Sequence, residues 1–285
     1  MILQEAFYLG TGAQARFCVW RAPRDGALRG TIVHVPPFAE EMNKCRRATA
    51  EAARAFAANG FGVLQIDPLG CGDSAGEFGD ATWSAWLDDV ARATEWATSR
   101  ASVPLWLWAI RGGALLACDA IARHPGRASV LLWQPVIAGS LHLTQFLRLK
   151  LAASMLAENA ARAGTRALRD RLAARESIEV AGYDLHPDLA MPLDGARLDC
   201  DPAHVARIVW LEIAAADDDA LSPASVTCID RLRSRGIAVN DQAVHGPAIW
   251  QTVEIEECPA LTDASLRALA QEQHVARDDA VLLRM

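Results

Sequence analysis

Several things are missing from this 285-residue chain, and each absence narrows what it can be. It has no run of about 18 apolar residues, so no transmembrane helix is expected. Its N-terminus, Met1-Ile2-Leu3-Gln4-Glu5, lacks a basic region followed by an apolar run, so no signal peptide is expected. None of its seven cysteines (Cys18, Cys45, Cys71, Cys118, Cys200, Cys228 and Cys258) stands in a C-x-x-C pair. Scattered and odd in number, they imply free thiols in a reducing compartment, hence a cytoplasmic protein without structural zinc. The histidines, His34, His124, His142, His186, His204, His245 and His274, show no ligand spacing, so neither a metal nor another cofactor is expected. There is no basic stripe either. Net charge is −7, and the densest basic stretch, Arg162 to Arg175, is interleaved with alanine and leucine like the wet face of a helix. Nucleic acid is therefore excluded as a partner.

What is present is globular: 52% hydrophobic and 22% charged residues. Apolar strands alternate with helical stretches. An opening hairpin is predicted at Phe7–Leu9 and Ala15–Trp20, around Gly10-Thr11-Gly12. Strands follow at Thr31–Val35, Phe61–Ile66, Pro104–Ile110 and Ser129–Gln134. Between them the spacing predicts helices over Asn43–Ala58, Thr82–Thr98 and Gly113–Arg123. Composition shifts near Ser140. Residues 140–175 read as amphipathic helix and 176–204 as irregular, punctuated by Pro187, Pro192, Gly195 and Pro202. The alternation then resumes with a strand at Arg207–Ala214, a helix at Pro223–Arg235, a strand at Ile237–Val244 and one more at Trp250–Ile255. Such apolar strands imply a mostly parallel sheet covered by helices on both faces, whose ligands sit beyond the carboxyl ends of the strands. The predicted division is a core of residues 1–139 and 202–285 with a helical cap insertion over 140–201.

The loops after those strands are where chemistry belongs. After Pro104–Ile110 the chain runs Arg111-Gly112-Gly113-Ala114. A nucleophile elbow reads G-x-S-x-G between strand and helix. Here Ala109 and Gly113 are the small flanking residues, and Arg111 stands where the serine belongs. After Phe61–Ile66, the text Asp67-Pro68-Leu69-Gly70-Cys71-Gly72-Asp73-Ser74-Ala75-Gly76 resembles the D-x-x-G-x-G-x-S-x-G turn common in α/β-hydrolases. In that fold the loop Pro36–Lys44 lends one oxyanion-hole amide and Gly112 the other. Asp219, four residues before Pro223, fits the triad-acid position, with Asp217 as second choice. The histidine position falls near Ile249 or Trp250, and neither is histidine. His245 lies upstream of Gly246, as a displaced base or an ordinary loop histidine. Cys71, Cys118 and Ser74 have no adjacent base that would make them nucleophiles.

Three stretches carry a closer resemblance: Pro36-Pro37-Phe38-Ala39-Glu40-Glu41-Met42-Asn43-Lys44, Trp108-Ala109-Ile110-Arg111-Gly112-Gly113 and Gly246-Pro247-Ala248-Ile249-Trp250. Through them nearly the whole chain resembles the α/β-hydrolase-like proteins associated with the exosortase A system, in particular the second type. The resemblance implies the α/β-hydrolase fold and a cytoplasmic bacterial protein linked to exopolysaccharide production and protein sorting. It brings no substrate, and it implies that the arginine is a family trait.

Arginine stays protonated and cannot form an acyl-enzyme. Its guanidinium is a fork for carboxylates or phosphates. Placed at the positive N-terminal end of the following helix, it needs an anion nearby. That anion is either internal (Asp219, Glu40 or Glu41) or a ligand held by Arg111 and the Gly112 amide. The candidate ligand-binding residues are Phe38, Glu40, Glu41, Asn43, Gly112 and Trp250. Two functions follow. One is a non-catalytic protein that binds a small anionic or acyl ligand or a protein partner. The other is an enzyme of unconventional chemistry, a hydrolase or acyltransferase for an ester, thioester or glycan-linked acyl substrate. In the insertion, Leu141, Leu143, Phe146, Leu147, Leu149, Leu151 and Met155 exceed what one covered helix face needs, which also fits a homodimer surface.

Overall fold

A computed structural model of the chain describes residues 1–156, 164–214, 219–252 and 254–282. Strand β1 (Ile2–Leu9) pairs antiparallel with β2 (Arg16–Pro23), the predicted hairpin in longer form. Next come β3 (Gly30–Val35), helix α1 (Glu40–Ala58), β4 (Phe61–Ile66), α2 (Trp83–Arg100), β5 (Leu105–Ile110), α3 (Gly113–Ile121) and β6 (Ala128–Trp133). The sequence punctuates these elements with recognisable devices. Thr82 caps α2 by accepting from the Ala85 amide at 3.1 Å. After α1, Gly60 takes a left-handed φ of 96°, which glycine reaches without strain.

Between β6 and the last two strands lie α4 (Gly139–Leu156), α5 (Thr165–Ala173), the short strands β7 (Ile178–Val180) and β8 (Tyr183–Leu185), and α6 (Pro187–Gly195). The stretch read as irregular, 176–204, therefore holds a small antiparallel pair and a helix. Three-residue strands are too short to show alternation, and α6 opens on Pro187 and tolerates Pro192, which disguised it. Leu143, Phe146 and Leu147 of α4 are buried, whereas Leu141 and Leu149 remain exposed. The side chain of Met155 lies outside the described residues.

The chain ends with β9 (Val205–Ile213), α7 (Pro223–Ser234), β10 (Val239–Val244) and α8 (Pro259–Leu282). The strand expected at Trp250–Ile255 is not formed among the described residues. Trp250 and Gln251 sit in a turn that leads towards α8. Trp250 is buried there by packing against the sheet, which satisfies the apolar signal without a ladder.

The eight-stranded sheet has the order β1-β2-β4-β3-β5-β6-β9-β10, parallel from β4 onward. Helices α1 and α8 cover one face; α2, α3 and α7 cover the other. Alternation along β5 serves both layers: Trp106, Trp108 and Ile110 face the α1 side, and Leu107 and Ala109 the α2 side. The chain winds one way from β3 to β4 and the other way from β5 onward. The loops after β3 and β5 thus meet at the switch point, where open parallel sheets take ligands.

At the start of α4 a side chain on Gly139 would bring Cβ to 1.7 Å from the Leu193 carbonyl oxygen of α6. Gly139→Ala should therefore cost about 1–3 kcal/mol, read as a lower urea midpoint and faster proteolysis within residues 139–196.

Candidate functional site

The turn after β5 is held by backbone bonds on every side. The Arg111 amide donates to the Trp133 carbonyl at 3.0 Å, and the Arg111 carbonyl accepts from Ala114 and Val136, each at 3.1 Å. Arg111 adopts φ 52°, a left-handed conformation that a non-glycine residue occupies only when its surroundings impose it. Gly113 shows what imposes it. A Cβ there would sit 2.5 Å from the Pro36 carbonyl oxygen and 2.7 Å from that of Val35, so only glycine lets β5, α3 and the β3 loop come this close. The facing loop is strained too, with Ala39 at φ 50° just before α1.

From this turn the Arg111 side chain reaches α1. Its Nε donates to Glu41 Oε1 at 3.1 Å, and Nη2 lies 3.1 Å from the same oxygen. Its Cζ lies 5.3 Å from the centroid of the Trp250 ring. Of the three internal acids considered, the partner is Glu41. Both side chains are nearly buried, at 13% and 10% exposure. Burial pushes the Glu41 carboxyl up to about 7, against the opposing pull of Arg111. Burial likewise raises Glu40, opposed by its own backbone amide and Lys44.

These groups line a cavity of about 340 Å³ with Phe38, His142, Gln145 and Gln251. His142, from α4, sits against the elbow: a Cβ built on Gly112 would lie 2.9 Å from its Nε2. Burial and the nearby Arg111 hold this imidazole down at about 3, so it is neutral. Four buried polar atoms around the cavity have no hydrogen-bond partner: Glu40 Oε2, Glu41 Oε2 and both ring nitrogens of His142.

Of the predicted ligand-binding residues, Phe38, Glu40, Glu41 and Trp250 line the cavity. Gly112 abuts it through His142, and Asn43 instead donates to the Tyr183 hydroxyl at 3.0 Å. Asp219 and His245 come together, His245 Nε2 lying 2.5 Å from Asp219 Oδ1, but the pair is 93% and 61% exposed and lines no wall of the elbow cavity. Asp217 lies outside the described residues. Helix α7 is capped by Ser222, which accepts from Ser225 at 3.2 Å. The buried acid at the end of β9 is Glu212. It accepts from the Ser222 amide at 2.9 Å and from the Ser225 hydroxyl, so its role is to hold α7. Sequence reading passed over His142, Lys44, Gln145 and Gln251. His142 carried no signal beyond being polar within an apolar helix.

The other nucleophile candidates are engaged or held protonated. The Ser74 hydroxyl accepts from the Phe17 amide at 2.8 Å and donates to the Asp67 carbonyl. Burial pushes the Cys71 thiol up to about 12, and the hydrogen bond with Cys200 together with burial raises that of Cys118. Among the described residues no group of His, Cys, Asp and Glu could hold a metal ion, and no helix is long and apolar enough to cross a membrane.

Three outcomes are expected. Gly113→Ala should cost about 1–3 kcal/mol because its clash is with backbone, and Gly112→Ala less because the His142 ring can give way; urea unfolding separates them. Arg111→Ala should cost about 3 kcal/mol by stranding a buried carboxylate, and adding Glu41→Gln should recover part of it in a double-mutant cycle. Glu41 is raised from its ordinary 4.5, so its contribution to stability is complete below that value and is lost as pH rises through about 7. Stability measured from pH 4 to 8 should lose this component in Glu41→Gln.

The comparisons with known proteins agree with this geometry. No curated protein matches the chain. Among solved structures, XC6422 of Xanthomonas campestris, described as an α/β serine hydrolase without a lid, is 14% identical and superposes with a TM-score of 0.56 over 95% of this chain and 94% of its own. The carboxylesterase Cest-2923 of Lactobacillus plantarum is 14% identical, with a TM-score of 0.57 over 96% and 98%. A soluble variant of the monoglyceride lipase of Saccharomyces cerevisiae is 13% identical, with a TM-score of 0.59 over 94% of each chain. At such identities these likenesses establish the α/β-hydrolase fold alone. The family model described as serine aminopeptidase S33 matches residues 26–191, more than half of the chain and including the elbow. The chain therefore belongs to the serine aminopeptidase S33 family of α/β-hydrolases, as a member whose elbow carries Arg111.

Proposed function

We propose that this protein is a non-catalytic member of its family that binds a small ligand in the elbow cavity. The observation that carries the proposal is the Arg111–Glu41 pair: the centre of the elbow is a guanidinium tied to a carboxylate, and the cavity wall offers no hydroxyl or thiol. Without a nucleophile there is no acyl-enzyme. The unpartnered Glu40, Glu41 and His142 atoms supply the reason for a ligand, since buried polar groups left unsatisfied are costly and are ordinarily matched. Three of the four are acceptors, the two carboxylate oxygens and one nitrogen of the neutral imidazole, so a ligand rich in hydrogen-bond donors suits them. An anionic or acyl ligand with a free carboxylate would have to displace Glu41 from Arg111.

In this proposal residues 140–201 form a cap over a core of 1–139 and 202–285, and α4 lends His142, Gln145, Phe146 and Leu149 to the cavity. The exposed Leu141 and Leu149 suit a partner protein or a second copy. The resemblance to exosortase A-associated hydrolases sets the setting as a bacterial cytoplasm, in support of exopolysaccharide production and protein sorting.

A second reading has its own observation. The neutral His142 ring stands against Gly112 in the same cavity as a buried Glu41 raised to about 7, which puts a carboxyl able to gain or lose a proton near the place where an oxyanion would sit. That arrangement suits an unconventional hydrolase or acyltransferase that activates the substrate's own nucleophile or water. Hydrolysis of short- and medium-chain nitrophenyl esters and thioesters, with fluorophosphonate labelling, separates the two. The binding function predicts no labelling and turnover indistinguishable from buffer, in wild type and Arg111→Ala alike. Turnover that disappears in His142→Ala would overturn it in favour of the second.

A further inference from the structure

A second cavity lies on the other side of α1 and shares no polar residue with the elbow. Period-two alternation sets Arg21 of β2, Gln65 of β4 and His34 of β3 on the same sheet face, in neighbouring registers: Val19 opposite Gln65, Arg21 opposite Val63 and His34 opposite Gln65. The result is a polar stripe across three strands, beneath a helix whose buried face is apolar apart from Glu41 and Thr49.

Arg21 is the anomaly in that stripe. It is 5% exposed, yet its guanidinium meets only neutral oxygens: Nε donates to Gln4 Oε1 at 2.9 Å, and Nη1 donates to Gln65 Oε1. Among the described residues no carboxylate stands within ion-pair distance of it. Glu51, the acid whose field it feels, is engaged with Arg54 at 2.6 Å. Burial, with Arg54 acting in the same direction, lowers this guanidinium to about 10, so it remains charged at neutral pH. Buried arginines are ordinarily matched by a carboxylate, as Arg16 is in this same molecule by Asp89 at 2.7 Å.

The cavity beside it measures about 250 Å³. His34 adds a second unsatisfied group: it is 4% exposed, its Nε2 has no partner, and burial with the field of Arg46 holds the ring neutral at about 3. The half-exposed Arg46 also lines the cavity, its Nη2 3.3 Å from Asp67 Oδ2. Arg46 and Asp67 cancel each other, which leaves one uncompensated positive charge, that of Arg21. Apart from Thr49, whose hydroxyl donates to the Arg46 carbonyl at 3.0 Å, the remaining wall is apolar, with Phe17, Val19, Met42 and Pro37 in it.

We propose that this cavity is a binding site for a short-chain monocarboxylate, its carboxylate on the Arg21 guanidinium and its alkyl end against Phe17, Val19 and Met42. One net charge matches a monoanion, Asp67 disfavours a dianion, and apolar walls favour an alkyl tail over inorganic phosphate or sulfate. The site rests on none of the elbow residues, so it stands or falls apart from the function proposed above.

The test is calorimetric titration of the full chain with sodium butyrate, at ionic strength held constant with sodium chloride. Saturable binding with a Kd of about 1–10 mM is expected. It should weaken by at least about tenfold in Arg21→Met, which keeps the volume and removes the charge. Arg46→Ala, at a half-exposed position that should not disturb folding, leaves Asp67 unopposed and should weaken binding several-fold. Absence of saturable binding to the wild type overturns the proposal. So does butyrate binding retained in folded Arg21→Met, which would assign the anion to another site. If Arg21→Met does not fold, unchanged affinity in Arg46→Ala overturns it equally.

Discussion

A cation has to be kept at a place where the fold supplies positive potential of its own. Arg111 projects from the N-terminal end of α3, whose free amides already carry partial positive charge. The structure meets this with Glu41, taken from the first turn of α1, where a carboxylate is favoured by that helix's own dipole. One acid thus answers two helix ends and a guanidinium. The solution is incomplete in an informative way: both Arg111 nitrogens converge on a single carboxylate oxygen, and the other oxygen is left unmatched. Desolvation outweighs the ion pair at Glu41, so the acid is held near neutrality rather than locked in its charged form.

Three arginines that are buried or nearly so, Arg16, Arg21 and Arg111, show how differently one side chain can be accommodated. Arg16 places its Nε 2.7 and 2.8 Å from the two oxygens of Asp89, a closed arrangement that ties β2 to α2 and has nothing left over. Arg111 shares one oxygen of Glu41 and leans on the face of Trp250. Arg21 has only amide oxygens. Compensation decreases from Arg16 to Arg111 to Arg21, and the two less compensated guanidinium groups, those of Arg111 and Arg21, each line a cavity.

The fold was legible because its strands are continuous apolar runs with helices of clear period between them. Leu105–Ile110 and Phe61–Ile66 are buried throughout or nearly so, and such runs leave little ambiguity. The elbow was legible as well, since Gly113 and the small Ala109 mark a turn whose packing admits little else. Less of the site could be read. Glu41 and Trp250 were readable as candidates because the first turn of α1 and the turn at Trp250 each come soon after a strand, β3 and β10. His142 was not, because it reaches the elbow from α4, and no local pattern reports where a helix in an insertion will land. The Asp219–His245 pair has the opposite history: its residues fit expected positions by order along the chain, but the loops put them on the surface. Order predicts which loop carries a residue and is silent about which way it faces. The short strands β7 and β8 and the Pro-started α6 went unseen because each is stabilised by what packs on it rather than by its own propensity.

The backbone contacts at Gly113 have a bearing on how such a protein arises. The turn between β5 and α3 is held by the close approach of Gly113 to the carbonyls of Val35 and Pro36 and by backbone hydrogen bonds to Trp133 and Val136, and none of these bonds is made by the side chain at position 111. That side chain leaves the turn for Glu41 and the Trp250 ring, so the backbone bonds of the joint do not run through its occupant. A change of occupant there alters chemistry without asking the scaffold to refold. The elbow is therefore a durable marker of the fold and a poor witness to activity, because glycine and backbone contacts set its geometry and its central side chain does not.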